Sequence, residues 1–122
     1  MSTIDSVLAE LLTIDGATGA AIVDADSGMA LGTAGTPPFS LEYAAAGNSE
    51  VVKAKLRTMS SLGINESIED ILITLTGQYH LIRVLGGTGA STLFAYVVLD
   101  RSRANLALAR HKTAAATADL QI

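Results

Sequence analysis

The chain has 122 residues, 49% of them hydrophobic and 16% charged, with a net charge of −4 and no cysteine. That size and balance suit one domain over residues 1–122, and they exclude disorder, disulfides, thiolate zinc sites and cysteine nucleophiles. An acidic chain with only 4% aromatic residues lacks both the charge to attract nucleic acid and the platforms to stack bases.

No basic n-region or apolar h-region opens the sequence, and no apolar run approaches the ~20 residues that span a bilayer. The expectation is a cytoplasmic chain with no membrane insertion. Ser2 or Thr3 caps a first helix, with Asp5 three residues after Ser2 as in a capping box. Ile4, Val7, Leu8, Leu11 and Leu12 give it one apolar stripe, and Gly16 and Gly19 end it. Gly19 to Val23 reads as a short strand. The turn-rich Asp24-Ala25-Asp26-Ser27-Gly28 follows, with Met29 to Gly32 as the return strand of a hairpin.

Ser40 is the natural N-cap of a long second helix with Glu42 in its first turn. Its inner stripe runs Leu41, Ala44, Ala45, Asn48, Val52, Leu56, Met59, Leu62, and Gly63 suits the position just past its end. Strands follow at Ile68 to Thr76 and Tyr79 to Leu85, joined by Gly77-Gln78. Gly86-Gly87-Thr88-Gly89 leads into Leu93 to Leu99, a charge-free run closed by Asp100. Apolar on both alternating faces, that run belongs at the centre of a sheet covered on both sides. A last helix extends from about Ser102 to Asp119.

The order αββαβββα gives an α/β (α+β) domain. Short connections make the last three strands a meander and the first two a hairpin. With the most hydrophobic strand central, the antiparallel order is 2-1-5-4-3, and Ile68 to Thr76 becomes an edge. Ile71, Ile73 and Leu75 point to one face and Leu72 to the other, with no proline or lysine to discourage pairing. Something covers this edge, or a second copy pairs with it in a homodimer.

Three segments together resemble the Roadblock/dynein-light-chain domain family, in its bacterial form. They are Asp15 to Asp24, the strand from Ile71 to Thr76 with its return at Tyr79 to Val84, and Val97-Val98-Leu99-Asp100 followed by Ala104-Asn105-Leu106-Ala107-Leu108-Ala109-Arg110. The resemblance implies a profilin-like five-stranded antiparallel sheet with two helices on one face and one on the other. It also implies homodimers or heterodimers that join their third strands and set their second helices side by side. Members bind small Ras-like GTPases or act as scaffolds and light chains. The expected dimer interface is Asn48, Val52, Leu56, Met59, Ile71, Leu72, Ile73 and Leu75. Asn48 either meets its counterpart across the two-fold axis or sits half-exposed at the rim. Because partners dock near the second helix in this family, Glu50, Lys53, Lys55 and Arg57 are candidates for partner contact or plain solvated charges.

No catalytic, cofactor-binding or metal-binding constellation stands out. Gly86 to Ser91 lacks the lysine of a Walker loop and opens a strand rather than a helix, so it reads as a hairpin loop. Asp24 and Asp26 read as turn aspartates rather than cation ligands. His80 and His111 read as a sheet-face and a solvated histidine, with no nucleophile elbow to serve. Arg101, Arg103, Arg110 and Lys112 read as surface charge. The function expected is a non-enzymatic dimeric regulator or scaffold of a small Ras-like GTPase. The alternative is a small-ligand sensor of the same fold class. A sensor needs a cavity with convergent polar groups, whereas the aliphatic, small-residue pattern predicts a filled core.

Overall fold

The computed structural model describes residues 2–86 and 92–120. Helix α1 spans Ile4–Leu11. Its cap is Thr3, whose Oγ1 accepts from the Ser6 amide at 3.2 Å while Ser6 Oγ accepts from the Thr3 amide at 3.0 Å. The capping box is therefore Thr3 with Ser6, one residue later than the Ser2–Asp5 pairing expected. Ser2 is drawn off into a bridge with Leu120. Val7, Leu8 and Leu11 bury the inner stripe.

The sheet is five-stranded and antiparallel: β1 Ala17–Asp24, β2 Met29–Gly35, β3 Asp70–Thr74, β4 Gln78–Leu85 and β5 Leu93–Asp100, in the order 2-1-5-4-3. β5 is central, hydrogen-bonded to β1 and β4, and Leu93 through Leu99 are all buried. β1 and β2 are longer than the sequence suggested, because Ala17 and Thr18 join the ladder and β2 continues to Gly35. The β1–β2 ladder carries a register shift between Ile22 and Val23 that no turn or breaker residue at those positions foretells. Gly35 ends β2 at φ 86°, where a Cβ would collide with the Thr18 carbonyl oxygen, so the position needs glycine.

Helix α2 spans Leu41–Ser61, capped by Ser40, whose hydroxyl accepts from the Tyr43 amide at 3.1 Å. Helix α3 spans Leu106–Thr117 and starts later than expected. Asp100 organises a turn instead: its carboxylate accepts from the Ser102 amide at 3.0 Å, the Ser102 hydroxyl at 2.8 Å and Arg103 Nε at 3.1 Å. These contacts, those of Ser102 foremost, hold the Asp100 carboxyl below its ordinary pKa. Asn105 then caps α3 by accepting from the Leu108 amide at 3.1 Å. Arg101 and Arg103 thus belong to the turn and not to the helix.

Two apolar layers hold the domain. α1 and α3 pack with Ala20, Ile22, Leu81, Ala95, Val97 and Leu99 on one face. α2 packs with Ala21, Val23, Ile82, Phe94, Tyr96 and Val98 on the other. Each fully buried large side chain contributes on the order of 1.5–3 kcal/mol.

Candidate interaction surface

α2 does not lie over the middle of its face of the sheet. It rests on β1 and β2, with side chains reaching β5 and Ile82 of β4. The flank towards β3 is left without a helix, and a groove of about 520 Å³ opens there. One wall is Phe39, Tyr43, Ala44 and Gly47; the floor is His80 and Tyr96, with Asn48 between.

The floor is polar in the middle of apolar walls. His80 Nε2 lies 2.9 Å from Gln78 Oε1, and its Nδ1 lies 3.0 Å from the Tyr96 hydroxyl. The Phe39 ring sits 5.7 Å from the imidazole, and the Tyr96 ring meets it edge-on at 5.5 Å. Burial lowers the pKa of His80, which favours the uncharged ring. Burial pushes the Tyr96 phenol up to about 12, against the smaller opposing effect of a hydrogen bond with Asn48.

β3 pairs only with β4, so its outer edge carries no strand among the described residues. Ile71 packs on the α2 side and Leu72 on the α1/α3 side, as the alternation predicted. Ile73 is half-buried and opposite His80 in register. Leu75 falls beyond the strand, in the turn: its amide donates to the Gln78 carbonyl at 2.9 Å and its carbonyl accepts from Arg101 at 3.0 Å.

The other candidate residues are not brought together as a single surface. Val52 is packed into the protomer's own core with no exposure at all, and Met59 is buried with 9% exposed, so both have little surface to offer a second chain. Leu56 is half-buried against the same core. Ser49, not Asn48, is the polar residue wholly inside the stripe, and it is satisfied by donating to the Ala45 carbonyl at 2.7 Å. Leu62, expected inside, is 67% exposed. Glu50 and Lys53 form an ion pair at 3.1 Å. Arg57 follows Lys53 on the same helical stripe, whereas Lys55 lies about 200° round the axis from Lys53.

The sequence reading missed the second apolar stripe of α2. Tyr43, Gly47 and Val51 recur every four residues, with Tyr43 84% and Val51 39% exposed and nothing within 4 Å of a Cβ placed on Gly47. That spacing was available as a signal; the stronger stripe through Val52 obscured it.

This arrangement has counterparts among solved structures. A Roadblock/LC7 domain from Streptomyces avermitilis superposes with a TM-score of 0.79 at 18% identity, over 96% of this chain and 93% of that one. Myxococcus xanthus MglB gives 0.80 at 20% identity, over 94% and 89%. The chain has the Roadblock/LC7 fold. An MglB structure with a tetrameric arrangement matches the same fold at 0.78 and 19% identity, over 93% of this chain and 81% of that one. No protein-family model matches the sequence, and no curated protein matches it.

In this Roadblock/LC7 fold, the remaining candidates behave as ordinary structural groups. Asp24 accepts from the Asp26 amide at 3.1 Å and the Ser27 hydroxyl at 3.0 Å, so it builds the turn. Asp26 accepts from the Thr92 amide at 3.1 Å and fastens that turn to the entry of β5. His111 is exposed on α3. Residues 87–91 of the glycine-rich connection lie outside the described residues. Among the described residues no three His, Cys, Asp or Glu side chains cluster as metal ligands, and no helix is long and apolar enough to cross a membrane.

Proposed function

We propose that this chain is a non-enzymatic adaptor that pairs with a second copy of itself and regulates or scaffolds a small Ras-like GTPase. What supports the pairing is the outer edge of β3, which meets no strand among the described residues, together with the exposed outer stripe of α2 and the groove left open over β4 and β5. A second β3 aligned on the first would continue the ladder. It would also bring the Tyr43–Gly47–Val51 stripes of two α2 helices towards each other, with Gly47 permitting close approach. The interface on this reading is Ile71, Leu72 and Ile73 with Tyr43, Gly47, Asn48 and Val51. Leu56 and Leu75 lie at its margins, and Val52 and Met59 serve the protomer core.

The GTPase reading rests on the fold and on the family resemblance. Paired α2 helices offer a partner a composite surface that one protomer lacks, rimmed by Glu50, Lys53, Lys55 and Arg57. Mixed charges at a rim mainly set on-rate and partner choice. The test has two arms. Light scattering of the purified chain at micromolar concentration should report a dimer, and Leu72→Pro should abolish it. A pull-down with GTPases of the source organism, loaded with GDP or a GTP analogue, should retain one of them.

One observation favours the sensor alternative: the open groove of about 520 Å³ sets the polar groups of Tyr96, His80 and Asn48 at the base of apolar walls. A metabolite co-purifying with a chain that retains no GTPase would decide for it.

A further inference from the structure

The hydrogen-bonded row at the groove floor is complete with an uncharged imidazole. With a neutral imidazole, Nε2–H donates to Gln78 Oε1 at 2.9 Å and Nδ1 accepts from the Tyr96 hydroxyl at 3.0 Å. Adding a proton makes Nδ1 a donor as well. The Tyr96 hydroxyl must then turn from donor to acceptor, and the new cation needs a counter-charge or water.

Among the described residues no acidic group lines the groove to supply that charge. From β5 the ring faces the Tyr96 phenol, and from α2 the only ionisable group on the groove wall is the Tyr43 phenol. Phe39 covers it from the loop before α2, and β3 sets Ile73 opposite it. On its own strand, the contact is with the uncharged Gln78. Glu42, at the start of α2, is outside the groove lining and hydrogen-bonds the Ser40 hydroxyl at 3.4 Å. In the open groove water solvates the charge, and burial already lowers the pKa of the ring.

Resting on the pairing reading above, we propose that His80 is a proton-operated release on the self-association face, so that acidification separates the two copies. A second copy laid along β3 and α2 shuts water out of the groove. The imidazolium would then be enclosed among Phe39, Tyr96, Gln78 and Asn48, with neutral hydrogen-bond partners but no carboxylate in the protomer's own lining, an arrangement that a burying interface disfavours. Pairing therefore selects the neutral ring. Each separation takes up two protons, one per copy.

His80 and His111 are the only histidines, and His111 lies on α3, on the opposite face of the sheet. With two histidines on opposite faces of the sheet, one substitution at each separates their contributions.

Sedimentation velocity from about pH 5.5 to 8 reads the dimer Kd directly. Expected is a Kd that is flat at the alkaline end and rises on acidification, with a limiting slope of about 100-fold per pH unit for two linked protons. His80→Gln should flatten the profile, and His111→Gln should leave it unchanged. NMR titration of the His80 ring in the wild-type chain needs no substitution, and it should show a lower pKa at concentrations above Kd than below it. A dimer whose Kd ignores pH, tightens in acid, or keeps its slope in His80→Gln overturns this inference alone. A chain that is monomeric at every pH overturns the pairing reading and this inference with it.

Discussion

Arg110 on α3 holds both carboxylate oxygens of Asp70 on β3, Nε to Oδ2 at 2.9 Å and Nη2 to Oδ1 at 3.1 Å. The Asp70 side chain is only 12% exposed, and its hydrogen bond is the first cause of the raised Arg110 pKa. A forked donor on a carboxylate fixes direction as well as distance. The pair thus anchors the start of the edge strand β3 to the helix layer. Arg110→Lys keeps the charge but loses the fork. Amide exchange at Ile71 and Leu72 should become several-fold faster, with the β1 and β5 amides unchanged, when followed by hydrogen exchange.

Gly35→Ala puts a side chain at φ 86° against the Thr18 carbonyl. Strain at such a position costs about 1–3 kcal/mol, before any collision is counted. Urea unfolding should show a lower midpoint with an unchanged m-value.

Adjacent valines on α2 should behave oppositely. Val52 is fully buried, so Val52→Ala should cost roughly 2 kcal/mol of folding stability. Val51 is 39% exposed, so Val51→Asp should change stability by less than about 0.5 kcal/mol yet abolish pairing. Denaturation and sedimentation, run on both variants, separate the two roles.

Alkaline stability should report Tyr96. Its phenol is raised from 10.0 to about 12 by burial, so between those values the folded chain keeps a proton that the unfolded chain has lost. More protons bound to the native state means that stability falls as pH rises through this window. Ultraviolet absorbance should show one phenol titrating late, and Tyr96→Phe should remove that phase and flatten the alkaline slope. The lowered pKa of His80 has the mirror effect on folding. The unfolded ring, near 6.5, takes up its proton first on acidification, so stability falls as pH drops through and below that value.

The strand order was legible because β5 announces itself: a charge-free run with both faces apolar has one place in a sheet, and short connections leave its neighbours little choice. The caps at Ser40 and the exit at Gly63 were legible for equally local reasons. Less visible were features in which two segments compete for one residue. Asp100 could have begun a helix, but Ser102 and Arg103 bent the chain round its carboxylate first. Ser2 could have capped α1, but the C-terminal end recruited it. On α2 the periodicity identified a stripe but not how far it extends, so Leu62 was placed inside and Tyr43, Gly47 and Val51 went unremarked. His80 needed its alternation with Ile82 and Val84 followed one step further to place it on the α2 face.

The register shift between Ile22 and Val23 bears on how many copies can assemble. It displaces the pairing of β1 with β2 and bends the strand that bounds the sheet opposite β3. The two borders of the sheet are therefore unlike: β3 pairs with β4 without a register shift, whereas the pairing of β2 carries one and ends in a glycine-only conformation. A module with two receptive borders would propagate into a filament. With one receptive border, joining consumes it on both partners, and the distorted borders are all that face outward. If copies pair through β3 as proposed, the stoichiometry would be closed by the shape of the protomer itself, without a separate terminator.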